Sequence, residues 1–376
     1  MSWYKLLSLL LLFAVSVGRA FAVPPAPFID AGIDAQLSGS GGAGVAFASG
    51  ASAVWYNPAG VAASEDVEIL SSYRTLVAGV NSGYLGASIP VLANHGIGFG
   101  WNWTGAGNIE IVDDFGEVDN NQASVGLNCF CLTYGRHFAL SKDNTGSDND
   151  GLYLGMTGKG VLQYLGDYSN SGFGVDIGAQ FRRGMFAAGI ASRNTGGLTL
   201  KGKSYWDETV IPEVVPPNIV AGLGIRRLFE IKSSTRPSTE RVNLTGREEI
   251  GKPYTHRLVA PPEGIRIPGA GAQTVTQVDE RDKSQPAKGD EVFHVSASVM
   301  TDFGYNFGSH PSQRMWFSLG GDVIFEGLFV LRLGWHSIDH FSAGTGVEIS
   351  SVALDYAFVQ GQGLVSTHWV TLRWCI

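Results

Sequence analysis

The feature that most constrains this chain is an alternation of apolar and polar residues with a period of two, recurring from about residue 66 to the end. Between 173 and 182 the odd positions, from Phe173 to Phe181, are all apolar, while Gly174, Asp176, Gly178, Gln180 and Arg182 fill the even ones. The same pattern sets Phe329, Leu331, Leu333 and Trp335 against Arg332, Gly334 and His336, and sets Val370, Leu372, Trp374 and Ile376 against Thr371, Arg373 and Cys375. A helix would scatter such sets over several faces, so these segments are strands with one apolar face each. A soluble sandwich alternates too. Segments of about 9–11 residues suit a tilted membrane strand, and aromatics near their ends (Trp101, Trp103, Phe325, Trp335, Trp369, Trp374) suit interfacial girdles, which favours a barrel.

The N-terminus is consistent with export. Lys5 precedes an apolar run from Leu6 to Val17, and Ala20-Phe21-Ala22 supplies a small-residue cleavage site, so residues 1–22 read as a signal peptide. The run is shorter than the ~20 residues a spanning helix needs, and no later apolar run is long enough either. Removing Lys5 and Arg19 from the 26 basic residues leaves 24 against 34 acidic ones, a net charge of about −10, which argues against nucleic acid or an anionic membrane surface as the main partner. Glycine, 51 of 376 residues, is about twice its usual ~7% share, as expected where backbones must approach closely.

Fourteen strand segments are expected, centred near residues 70, 84, 99, 128, 157, 177, 188, 223, 297, 320, 332, 346, 355 and 371. Tight turns are expected at Arg182-Arg183-Gly184, at Glu326-Gly327 and around Ser350, and long polar loops at 104–121 and 194–217. The charged, proline-containing stretch 230–290 should fall, by parity, on the short-turn side. Either it holds an extra hairpin near Gly264–Val278 or it is one long segment on that side.

Several patterns imitate catalytic or ligand motifs. Gly39-Ser40-Gly41-Gly42-Ala43-Gly44 matches a dinucleotide fingerprint, and Gly197-Leu198-Thr199-Leu200-Lys201-Gly202-Lys203-Ser204 matches a P-loop. Both chemistries require a strand before and a helix after the loop, and neither context is present. His336 and His340 have the spacing of a helical metal pair but sit at a strand end. Cys129 and Cys131 share a strand face at a separation awkward for a disulfide, so free packed thiols are expected, Cys375 included. No catalytic residue, metal or cofactor is expected, and the chain reads as a non-enzyme.

Alternation sends Asp176, Arg182, Arg226, Asp322, Arg332, Asp355 and Arg373 inward. Such charges are expected to pair with one another and hold the lumen together. The functional alternative is that some anchor a ligand carboxylate, with Arg332 and Arg373 as candidates.

A resemblance adds to this. Gly41 to Ala48, followed by Ala51-Ser52-Ala53-Val54-Trp55-Tyr56-Asn57-Pro58-Ala59-Gly60-Val61-Ala62, resembles the N-terminal hatch of FadL-like outer-membrane transporters. It is nearest the PorV-like and treponemal FadL-like branch, whose ending is similar to Leu354-Asp355-Tyr356-Ala357-Phe358 and Gly363 to His368 here. One departure is that Ile376, not an aromatic residue, is terminal. The resemblance implies an outer-membrane antiparallel β-barrel of about 14 strands (65–376), with a hatch (23–64) inside the lumen carrying Gly42, Gly44, Asn57, Pro58, Ala59 and Gly60. Asn57-Pro58 independently favours a turn, because proline fixes its own φ and biases the preceding residue away from the helix. The implied function is passive uptake of long-chain fatty acids or other small hydrophobic molecules, with membrane lipid around the barrel. The alternative is a PorV-like adaptor that binds secreted or surface proteins.

Overall fold

A computed structural model describes residues 31–76, 79–112, 118–140, 149–166, 168–202, 213–234, 244–246, 290–307, 315–338, 340–361 and 366–376. The signal-peptide reading, residues 23–30 of the expected hatch and most of 230–290 therefore lie outside the described residues. In chain order the strands are β1 (Glu68–Thr75), β2 (Asn81–Leu92), β3 (His95–Val112), β4 (Val118–Ala139), β5 (Gly151–Leu165), β6 (Tyr168–Arg183), β7 (Phe186–Arg193), β8 (Leu198–Gly202) and β9 (Glu213–Val215). They continue with β10 (Asn218–Ser234), β11 (Leu244–Gly246), β12 (Asp290–Asn306), β13 (Met315–Phe325), β14 (Phe329–His336), β15 (His340–Ile349), β16 (Val352–Gln360) and β17 (Ser366–Cys375).

Fourteen of these form a closed antiparallel ring: β1 to β7, then β10, then β12 to β17. β7 pairs β10, β10 pairs β12, and β17 returns to β1 with Glu68 opposite Cys375. Each of the fourteen expected centres falls inside one ring strand. The ring has no free edge, which is the condition for β structure to cross a hydrocarbon layer with all backbone groups paired.

Side chains divide cleanly between the two faces. On β5, Leu152, Leu154 and Met156 are exposed, while Tyr153, Thr157 and Lys159 are buried. On β14, Leu331 and Leu333 are exposed at 55% and 62%, and Arg332 between them at 2%. A surface made of exposed large apolar side chains all round the ring belongs in lipid, whereas soluble monomers expose only small apolar patches. The chain is an integral outer-membrane β-barrel, and no helix among the described residues is long and apolar enough to cross a membrane. Trp369 is the exception among the expected girdle aromatics. It faces inward at 3% exposure beneath the Arg74 guanidinium, because 369 shares its parity with the inward Thr371 and Arg373.

The connections alternate between two ends. β1 begins and the chain finishes at one, called here the near end. Three of its turns are tight: Gly184, Glu326, Gly327 and Ser350 adopt positive φ of 58°, 51°, 65° and 58°, the geometry that lets a two- or three-residue link follow the strand twist. Two expectations about loops change. Residues 104–112 and 118–121 belong to β3 and β4, which from Ala106 onward run beyond β2 as a hairpin, and these strands are 18 and 22 residues long, well over the expected length. Likewise 194–217 contains β8 and β9, which continue the lines of β7 and β10 toward the far end and pair with each other. The stretch from 235 to 289 joins β10 to β12 at the near end, the side expected from parity. Its described part, β11, pairs with Phe229–Ile231 of β10, and the Gly264–Val278 region lies outside the described residues.

Candidate functional site: the barrel interior

The segment before β1 packs against inward-facing residues from around the whole ring. It comprises a short helix α1 (Ala35–Gly39), a helix α2 (Gly50–Tyr56) and a 3₁₀ turn over Pro58–Ala63. Its residues are buried almost throughout, with Ala51, Val54, Asn57, Ala59 and Val61 at 0% exposure. α1 contacts β14 to β17, and α2 with the 3₁₀ turn contacts β1 to β6.

Glycine makes the room. Gly96, Gly135, Gly155 and Gly178 lie directly opposite one another across β3, β4, β5 and β6, all facing inward. A Cβ on Gly96 would run into the Val61 carbonyl, on Gly155 into the Pro58 carbonyl, and on Gly178 into the Asn57 carboxamide. Across the ring, the register-paired Gly320 and Gly334 meet the backbone of Ser40 and Gly41 in the same way. The glycine excess is thus a seat for a second layer of backbone.

Polar bonds fix the segment in the seat. Asn57 Nδ2 donates to the Val45 carbonyl at 2.8 Å and to the Ala179 carbonyl at 3.1 Å, while its Oδ1 accepts from the Ala59 amide at 3.2 Å. As expected of a residue before proline, Asn57 is extended (φ −158°, ψ 105°), which ends α2 and caps the 3₁₀ turn. Gly41 and Gly42, at φ 70° and 74°, turn the chain where an L side chain would be strained. The amides of Gly44 and Val45 both donate to Asp302 Oδ2, at 2.8 and 3.0 Å, so the glycine-rich stretch cradles the barrel's own carboxylate and not a phosphate. Gly60 packs against the Ala48 carbonyl too closely for any Cβ. On the other face the Ala35 amide donates to Thr371 Oγ1 at 2.8 Å and the Gly41 amide to Ser342 Oγ at 2.9 Å.

Asp34 ties the segment to itself. Its Oδ1 accepts from the Leu37 amide at 2.8 Å as the α1 cap, and its Oδ2 accepts from Ser52 Oγ at 2.6 Å. Burial pushes this carboxyl above the usual range, partly offset by the two hydrogen bonds. Burial likewise raises the Tyr56 phenol, which accepts from the Ile33 amide at 3.0 Å.

All five candidate lumen residues point inward and are buried. Arg332 Nη1 lies 2.6 Å from Asp355 Oδ1, and Arg373 Nη2 lies 3.1 Å from Glu348 Oε2. Both candidate ligand anchors are therefore held by carboxylates of the wall. Arg182 Nη2 donates to Gln180 Oε1 at 2.8 Å and to the Ala48 carbonyl at 3.2 Å, so it holds the segment. Asp176 receives the Asn194 amide at 2.8 Å and lies 2.7 Å from Lys159 Nζ, both partners 1% exposed. Lys159 escaped sequence reasoning. It is the only charge on β5 and shares the inward parity, but the identity of its partner depends on strand register. Glu68, Asp302, Arg193 and Gln180 were missed as anchors for the same reason. His336 Nδ1 accepts from the Ile338 amide at 3.2 Å.

Charged and hydroxylic residues face the interior from both halves of the ring, among them Asp302, Asp322, Arg332 and Arg373 from β12 to β17 and Glu68, Thr157, Asp176 and Arg182 from β1 to β6. Facing β1 to β9, on the far-end side of the glycine seat, Leu70, Tyr84, Cys129, Cys131, Val161 and Leu198 pack in one cluster with Val54 and Trp55 of α2. The two thiols in this cluster are free, 3.9 Å apart. The Lys159–Asp176 pair lies at its edge, with Nζ 5.3 Å from the Trp55 ring centre.

No family model matches the chain, and no curated protein is similar to it by sequence. Among solved structures, the chain is similar to the Pseudomonas putida toluene transporter TodX at 10% identity, over 95% of this chain and 98% of that one, with a TM-score of 0.46. It is also similar to a Pseudomonas aeruginosa FadL homologue at 10% identity, over 94% and 99%, with a TM-score of 0.46. A third likeness is to the Acinetobacter baumannii outer membrane protein Omp33, at 8% identity over 83% and 98%, with a TM-score of 0.35.

Proposed function

We propose that this barrel is a passive outer-membrane channel for small hydrophobic molecules, long-chain fatty acids among them, with residues 23–64 acting as its hatch. The observation that carries this reading is the apolar sector. A barrel that conducts hydrophilic solutes keeps a polar, water-filled lumen. Here Leu70, Tyr84, Val161 and Leu198 instead extend the apolar surface of Val54 and Trp55 toward the far end. The near end, with its tight turns, then faces the periplasm. A ligand entering from outside would travel along the apolar sector and reach the near end when α2 leaves its seat. The Lys159 ammonium is already neutralised by Asp176, so a fatty-acid carboxylate binding there would have to compete with that carboxylate, whereas a neutral hydrocarbon would not. Uptake of radiolabelled oleate and of toluene into proteoliposomes tests the proposal; accumulation no faster than in protein-free liposomes for both would sink it.

A second reading has one observation in its favour. Beyond Arg226, β10 outruns β7 and continues at the near end, paired with β12 on one side and β11 on the other. A ribbon at the periplasmic end is a surface for an exported protein, as the adaptor alternative requires. Stoichiometric recovery of such a protein with the purified barrel, together with no hydrophobic uptake, would favour it.

A further inference from the structure

The outer wall carries a notch that the transport reading does not use. Phe130 on β4, Gly160 on β5, Phe173 on β6 and Thr199 on β8 are direct cross-strand neighbours in one row, all facing lipid. One register step toward the far end, the corresponding row is Leu162, Ser171 and Lys201. At Gly160 nothing lies within 4 Å of where a Cβ would be, and a Cβ on Gly158, one step the other way, would touch only the Phe173 ring, at 3.6 Å. At Gly160 the missing side chain leaves a groove of about 660 Å³ along β5, walled by Phe130 and Phe173. Phe130 is stacked on Trp101, with centroids 6.0 Å apart and planes 7° apart, and Phe173 stands 69% exposed as the opposite wall. Exposed Lys201 and the Ser171 hydroxyl close the far-end mouth of the groove.

We infer that this notch is a binding site for one phosphate-bearing anionic membrane lipid, with an acyl chain along Gly158–Gly160 and the phosphate at Lys201. The surroundings fix the class of occupant, because a groove on this face opens into hydrocarbon. The arrangement also fits an amphiphile end for end. The apolar length between two aromatic walls suits a chain, and among the described lining residues the one cation, with a hydroxyl donor beside it, sits at the end nearer the interface, where Tyr164 on β5 marks the aromatic level. Neutral residues alone would serve any acyl chain, whereas Lys201 discriminates by headgroup charge.

The test is native mass spectrometry of the purified barrel in detergent, titrated with phosphatidylglycerol and phosphatidylcholine of identical chains. The wild type should bind the anionic lipid about fivefold more than the zwitterionic one, the contribution expected of one lysine near a membrane surface. Lys201→Gln should bring that ratio to about one without changing phosphatidylcholine binding. Gly160→Leu, which fills the notch from the lipid side, should lower occupancy by both lipids. Resistance of the unheated barrel to unfolding on a detergent gel confirms that each variant is folded. A wild-type ratio near one, a ratio unaltered by Lys201→Gln, or unchanged occupancy in Gly160→Leu would each overturn the site.

Discussion

Lys159→Met removes the cation of a fully enclosed ion pair in the barrel interior. The two charges are 2.7 Å apart with both side chains 1% exposed. At an effective dielectric of ~20 their attraction is about 6 kcal/mol, set against a desolvation cost of several kcal/mol for each ion. The net value of the pair is therefore small, but the cost of breaking it is not. Without Lys159 the Asp176 carboxylate keeps only the Asn194 amide, and an uncompensated buried charge costs about 3–5 kcal/mol. The double variant Lys159→Met/Asp176→Asn has no charge left to bury and keeps an acceptor for the Asn194 amide, so it should return to within about 1 kcal/mol of the wild type. The assay is equilibrium urea unfolding of the barrel in liposomes, followed by tryptophan emission for all variants. A single variant as stable as the wild type, or a double variant no better than the single, would refute the view that the interior is a closed, desolvated set of charge pairs.

Asn57→Ala should cost about 1–3 kcal/mol in the same assay, because the Val45 carbonyl loses its Asn57 donor and the 3₁₀ turn loses its cap. Gly155→Leu should unseat the Pro58 turn and expose the apolar sector; maleimide should then label Cys129 and Cys131, which stay unreactive in the wild type at 0% and 2% exposure. Burial raises the Asp34 carboxyl in the folded state, so its contribution is full at acid pH and is lost as pH rises through its folded value. Asp34→Asn should accordingly flatten the fall in melting temperature above the usual carboxylate range, and an unaltered pH profile would contradict this.

The ring was legible in the sequence because the period of two assigns each side chain to lipid or lumen without knowledge of its neighbours. That is why all fourteen strand centres, the turns at Gly184, Glu326 and Ser350, and the inward charges from Asp176 to Arg373 could be placed. The same rule put Trp369 inside, where parity counted for more than its position near a strand end. Partnerships between strands were not legible. Lys159 meets Asp176, and Gly96, Gly135, Gly155 and Gly178 form one seat, only because of register, which hydrogen-bond pairing and turn lengths set jointly. The glycine excess signalled close backbone approach but not which backbone approached. Helix α2 gave no periodic signal: its small residues are buried on every side, so no polar stripe marks an outer face. The segment 41–62 was singled out by resemblance alone, while the wall residues that hold it and its flanks, Asp302, Gln180 and Thr371, lie on strands far away in sequence.

The central claim is that hydrophobic molecules pass only when α2 moves off its seat. Val54 packs against the inward face of Gly98 on β3, so Val54→Cys with Gly98→Cys, in a background where Cys129, Cys131 and Cys375 are serine, can lock the segment to the wall. The measurement is oleate and toluene uptake into proteoliposomes containing this variant, oxidised and then reduced. Uptake should fall to the protein-free rate when the lock is closed and recover on reduction. Equal uptake in the two states would show that the segment is not the gate.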